Sequence, residues 1–179
     1  MKILSKVASA MILSTGLLMA SSYSVDNAHS NVGFTVKHMM VTNVHGKFTS
    51  YDAKVEFDDA TKTFKKLVAN IDTNSIDTGI EKRDNHLRSD DFFAVEKFPK
   101  MTFEMTSYKA DGDDGKMTGN LTIRGITKPV VLEVEDISVL GDKVGFSVEG
   151  KINRQDFDLK WNKAIELGGV AVSDEVKIK

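Results

Sequence analysis

Apolar and polar residues alternate with period two through most of this chain, a pattern that suits half-buried strands and leaves little room for helices. Val32, Phe34, Val36 and His38 share one face of the first clear run, with Asn31, Gly33, Thr35 and Lys37 on the other. The same alternation recurs at 44–48, 53–57, 67–71, 101–105, 117–123, 130–134, 146–152 and 172–178. Between the runs lie Asp58-Asp59-Ala60-Thr61, Asp111-Gly112-Asp113-Asp114-Gly115, Arg124-Gly125 and Gly141-Asp142, all short stretches of turn chemistry. Strands joined by such loops pair as antiparallel hairpins. Pro99 and Pro129 are read as strand starts, where a missing N–H does least harm.

One segment departs from this pattern. Between Thr78 and Glu96 the apolar residues are spaced irregularly, and Thr78-Gly79-Ile80-Glu81 has the form of a capping box. Ser89 offers a second cap before Phe92 and Phe93. The expectation is a helical excursion between two strands, ended by Pro99.

The N-terminus reads as an export leader over residues 1–22. Lys2 and Lys6 precede an apolar core from Val7 to Met19, and Ala20-Ser21-Ser22 offers small residues for cleavage. The core is shorter than the ~20 residues a membrane span needs, and no later segment approaches that length. Cleavage would leave one domain, residues 23–179, two charges more negative than the −2 of the whole chain. That mild, mixed charge argues against nucleic-acid partners and predicts no affinity for anionic headgroups. With no cysteine, the fold has no disulfides, thiolate metal sites or thiol nucleophile.

At least eight antiparallel strands with one helical insertion form a barrel or a sandwich, and strands at both ends favour the barrel. Its inward positions mix large residues (Phe34, Phe48, Phe103, Phe146) with glycines (Gly46, Gly119, Gly150). Such a mixture either leaves a channel or interdigitates into a solid core.

Candidate chemistry is sparse. The chain has no Gly-x-Ser-x-Gly elbow, phosphate loop, His-Glu-x-x-His or dinucleotide fingerprint, so no residue is assigned as catalytic. His29, His38 and His45 could meet on the first hairpin as metal ligands, but nothing fixes their separation. No metal site is expected, and His38 is read as a hydrogen-bonded buried residue near a barrel mouth. The run from Glu81 to Asp91 is either a polar gate or a solvated helix face stitched by pairs such as Asp84 with Arg88. Arg154, Asp156 and Trp161 suggest a turn closed by an Arg–Asp pair.

Long strings of the sequence resemble the YceI-like proteins. The opening string Asp26-Asn27-Ala28-His29-Ser30-Asn31-Val32-Gly33-Phe34-Thr35-Val36-Lys37-His38-Met39-Met40-Val41, then Val44-His45-Gly46-Lys47-Phe48, is similar to that family's first signature. Ser75-Ile76-Asp77-Thr78-Gly79, residues 83–93 and Phe98-Pro99-Lys100-Met101-Thr102-Phe103 follow its central one. Residues 119–130 and Asn153-Arg154-Gln155-Asp156-Phe157 complete the pattern. Two positions depart from it: Ala94 stands in place of an aspartate, and Asp158 in place of a glycine, suggesting a turn without positive φ.

The resemblance implies an all-β, lipocalin-like, extended eight-stranded antiparallel barrel with a short helical insertion. It further implies a periplasmic or secreted protein that holds a polyisoprenoid, isoprenoid quinone, fatty amide or similar lipid, and needs no other cofactor. The inward residues expected to contact ligand are Phe34, Val36, Val44, Phe48, Met101, Phe103, Leu121, Ile123, Phe146 and Val148, with Phe92 and Phe93 packing beneath the insertion. His38, Arg83, Arg88 and Arg154 are candidate head-group partners. Transport, storage and envelope stress protection all suit such a carrier, and a dimer could cover an apolar rim at the mouth. The rival reading is an envelope interaction protein with a filled barrel and no obligatory ligand.

Overall fold

A computed structural model describes residues 20–39, 41–164 and 171–179. Residues 1–19 of the expected leader lie outside the described residues. Eleven strands form one sheet: β1 (Ser21–Ser24), β2 (Val32–His38), β3 (Thr42–Phe48), β4 (Tyr51–Asp58), β5 (Thr63–Asp72), β6 (Ile76–Asp77), β7 (Lys100–Asp111), β8 (Asp114–Ile123), β9 (Ile126–Leu140), β10 (Lys143–Asn153) and β11 (Val172–Ile178). Their order is β1-β4-β5-β7-β8-β9-β10-β11-β2-β3-β6, with every pairing antiparallel. The sheet curls into an open barrel. The chain passes from β3 to β4 through Thr49 and Ser50, and no ladder joins those two strands among the described residues.

All nine alternating runs are strands, one more than the eight expected, and β1 and β6 add two short pieces at the sheet's edges. The turns follow the expected chemistry. Arg124 and Gly125 both take positive φ, 51° and 73°, the geometry that twists a two-residue hairpin with its strands. At the β4–β5 turn the Asp58 carboxylate accepts the N–H groups of Ala60 and Thr61. Pro99 immediately precedes β7, but Pro129 is inside β9. It is tolerated there because β10 pairing begins only at Leu132, leaving the proline's bare nitrogen unpaired.

The insertion forms one helix, α1 (Glu81–Arg88), and the expected capping box is not made. Gly79 takes φ 77°, Ile80 becomes the N-cap, and Thr78 donates from both N–H and Oγ1 to Asp84 instead. Nor does Asp84 pair with Arg88, which donates to Asn74 O, Ile76 O and Asn85 Oδ1. Ser89 opens no second helix. Its Oγ donates to His86 O and closes α1, after which Phe93 N–H and Val95 N–H return to Leu87 O and Arg88 O in successive turns. Asp158 takes φ 60° despite its side chain, a left-handed conformation that aspartate tolerates better than most residues.

The interior divides into two parts. Phe57, Phe64, Met117, Val134 and Ile137 are buried at the corner where the β4–β5 and β7–β8 hairpins meet β9. Phe64 there packs against Phe57, Tyr108 and Phe146 with ring centroids about 5 Å apart, edge-to-face geometry that adds to simple burial. Outside this corner Ile76 and Phe157 are as deeply buried, and the remaining interior encloses a cavity.

A candidate ligand cavity and its lid

The cavity has a volume of about 1110 Å³, above the ~300–1,000 Å³ usual for small-molecule pockets. Val144, Phe146, Val148 and Ile152 all line it from β10, so it follows roughly 26 Å of that strand at ~3.3 Å per residue. Spread over that length, the volume makes a passage narrow enough to select elongated molecules.

Its inward glycines do not create the space. A Cβ on Gly46 would lie 2.3 Å from Phe34 Cζ, one on Gly119 2.3 Å from Phe103 Cζ, and one on Gly150 2.4 Å from Leu132 Cδ2. Each glycine accepts a large side chain from the neighbouring strand, which lies flat against the wall. The space comes from the absence of side chains long enough to cross the barrel.

Eleven of the apolar residues singled out from sequence line this cavity: Phe34, Val36, Phe48, Phe92, Phe93, Met101, Phe103, Leu121, Ile123, Phe146 and Val148. Val44 and His38 instead line a smaller apolar pocket of about 150 Å³ beside α1, together with Arg83, His86 and Trp161. That pocket shares Phe34, Val36, Leu87, Phe92 and Val172 with the large one, so the two adjoin. Sequence reasoning passed over Val55, Leu67 and Ile71 on the β4–β5 wall, although their alternation carried the signal. It also missed the strap of residues 23–31, which runs along one opening and has no periodic pattern to betray it.

Each lid side chain has a definite anchor. Phe93 meets Phe48 edge-on at 5.8 Å, while Phe92 and His86 cluster with Trp161. Arg124 donates Nη1 to Asp90 O and Phe92 O, fixing the turn that carries both phenylalanines. Arg83 donates Nε and Nη2 to Thr78, leaving Nη1 without a protein partner among the described residues.

Arg154 is 3% exposed and donates to the carbonyls of Leu159, Trp161, Val172 and Ser173 and to Asp174 Oδ1. Its expected partner Asp156 is not among them. Burial pulls its guanidinium below the ordinary arginine value, and the Asp174 carboxylate works in the opposite direction. Arg154 and Arg88 therefore commit donors to the chain itself, as a clasp at the lid end.

The three histidines do not converge. His29 Nδ1 is 3.0 Å from Asp26 Oδ2 on the strap, His45 Nδ1 is 2.9 Å from Thr35 Oγ1, and His38 is exposed rather than buried. No group of three His, Cys, Asp or Glu that could hold a metal occurs among the described residues. At the strap the His29 hydrogen bond holds the Asp26 carboxyl below its usual range, with the Ala28 N–H assisting.

Residues 23–179 match the model of the YceI-like domain. The chain belongs to the YceI-like family. It is 39% identical over 156 residues to Protein YceI of Salmonella newport, covering 83% of this chain and 82% of that one. A solved YceI structure from Campylobacter jejuni superposes with a TM-score of 0.69 at 44% identity, over 87% of this chain and 92% of the other. The fold is also that of a polyisoprenoid binding domain from Saccharophagus degradans, at TM-score 0.58 and 17% identity, over 89% and 94% of the two chains. In this YceI-like domain the family signatures fall on the cavity wall and its lid: Phe34, Val36 and Phe48 from the first, Phe92 and Phe93 from the central one.

Proposed function

We propose that this protein binds one long-chain apolar lipid, of the polyisoprenoid, isoprenoid-quinone or fatty-amide class, along its cavity. The elongated apolar cavity carries this reading. About ten sheathed methylenes would contribute roughly 8 kcal/mol, enough to offset the lower range of association and ordering costs. A wall dominated by Val, Leu, Ile and Phe selects length and width rather than functional groups, which suits binding.

The description of the Saccharophagus domain as polyisoprenoid binding points to the same ligand class. The leader-like residues 1–22 support export to the periplasm, where a carrier, store or stress-protective sink for such a lipid would operate. His38 and the uncommitted Nη1 of Arg83 remain the head-group contacts of choice, because Arg88 and Arg154 are spent on main-chain carbonyls.

Native mass spectrometry of protein purified without detergent, followed by organic extraction, tests the reading. The expected result is one long-chain species per protein. A protein that is empty and also refuses added polyprenol, quinone and fatty amide would overturn it.

A further inference from the structure

Two hairpin tips expose an aliphatic side chain to almost the same degree: Val41 after β2 at 81%, and Leu140 at the end of β9 at 82%. Single exposed hydrophobics are ordinary on soluble proteins. What separates these two is their surroundings. Leu140 follows Glu133, Glu135 and Asp136 and precedes Asp142. Val41 stands in a stretch, residues 27–51, that contains none of the chain's 26 acids but includes Lys37 and Lys47.

The β2–β3 tip has company. Met39 is 43% exposed beside Val41, and its N–H donates to Ala171 O, whose own N–H donates to Lys163 O. Lys37 and Lys163 are both exposed, so cations flank the apolar tip on two sides. Immediately beneath lies the small pocket, with Val36, His38 and Val44 of this hairpin on one wall and Arg83, His86 and Leu87 of α1 on the other. Trp161, the only tryptophan, is at its edge. Tryptophan and an apolar tip flanked by lysine are features that seat a protein in a bilayer interface.

We propose that the β2–β3 hairpin docks on anionic bilayers, setting the small pocket against the acyl chains as the passage through which lipid reaches the cavity. The passage rests on the lipid-binding reading above; the docking does not. The mild net negative charge of the whole protein argues against membrane affinity only when charge is averaged over the surface. At distances near a Debye length of about 8 Å nearby charges outweigh the average, and Lys37 and Lys163 supply them beside the tip. α1 suits the side of a passage: its one fully buried residue is Asp84, and it is held to the barrel through hydrogen bonds from Arg83 and Arg88 to the 74–78 segment.

Trp161 makes the test direct. Fluorescence of the leaderless protein is titrated with vesicles of brominated phosphatidylethanolamine and phosphatidylglycerol in equal parts, and with brominated phosphatidylcholine alone. Quenching is expected with the anionic vesicles only, weakening by roughly tenfold in Met39→Ser/Val41→Ser and unchanged in Leu140→Ser. Urea midpoints confirm that the variants are folded. No quenching by anionic vesicles, equal quenching by phosphatidylcholine, or equal losses at the two tips would overturn the proposal. Extraction of the same preparations separates it from the cavity reading: bound lipid without docking sinks the docking surface alone, whereas docking by a protein that takes up no lipid sinks the cavity reading and the passage and leaves the surface standing.

Discussion

The filled corner and the hollow half are built from the same residue types on the same strands, yet they have different work to do. Around Phe57, Phe64, Met117 and Val134 the side chains reach one another across the barrel, and three of these four are essentially inaccessible. Along Val36, Val148 and Ile152 they stop short and border empty space. Stability should therefore concentrate in the corner and ligand capacity in the hollow, because a side chain surrounded on all sides loses more contacts on truncation than one already facing a void.

The sharpest break in that contrast would come from core truncation. Phe57→Ala or Phe64→Ala should cost about 3–5 kcal/mol in urea unfolding of lipid-free protein, against about 1 kcal/mol for Val36→Ala or Val148→Ala. Equal losses would erase the distinction. Next in size is the clasp at the lid end. Arg154→Met should cost about 3 kcal/mol by stranding several carbonyls, and a change under ~1 kcal/mol in the same assay would show that they find other donors.

Glycine substitutions sharpen the comparison. A Cβ on Gly115 would meet Tyr108 Oη at 2.3 Å and Lys109 O at 2.7 Å in the filled corner, whereas one on Gly46 would meet the Phe34 ring, which has a cavity to move into. Gly115→Ala should cost about 2–3 kcal/mol and Gly46→Ala about 1 kcal/mol, the latter with reduced lipid capacity. Thermal melts with and without ligand distinguish the two.

Acid sensitivity is the smallest effect. The Thr61 N–H holds the Asp58 carboxyl below its ordinary value, with Lys65 and the Ala60 N–H assisting. A depressed carboxyl contributes stability above its unfolded pKa of about 3.9, and that contribution disappears as pH falls through the folded value. Asp58→Asn should therefore lower stability at neutral pH, and the gap to the unmodified protein should close as pH drops below about 4. A gap independent of pH would assign the role of Asp58 to its geometry alone.

Much of this architecture is legible in the residues. The β10 run alternates inward and outward without interruption, and its inward members Val144, Phe146, Val148 and Ile152 all reach the cavity. β1 and β6 were not legible, since segments this short carry no period and exist only because β4 and β3 offer them a neighbour. The cap of α1 was misread because Glu81 satisfies a local rule that Asp84 satisfies in fact, once Gly79 has turned the chain. Whether the interior was hollow depended on where Phe34, Phe103 and Leu132 lie, each against a glycine on another strand, and no local pattern encodes that. The partners of Arg154 were hidden for the same reason, as Val172, Ser173 and Asp174 are remote in sequence.

The central claim is that the hollow half, and not the barrel as a whole, holds the lipid. Filling it tests this most directly: Val148→Trp is compared with the unmodified protein for lipid bound per chain by native mass spectrometry, after urea unfolding has shown both to be folded, with Val36→Phe as a second block on β2, two strands along the sheet. The account predicts that bound lipid falls by about tenfold or more while the unfolding midpoint stays within ~1 kcal/mol of the original. Full lipid occupancy in both blocked, folded variants would contradict it.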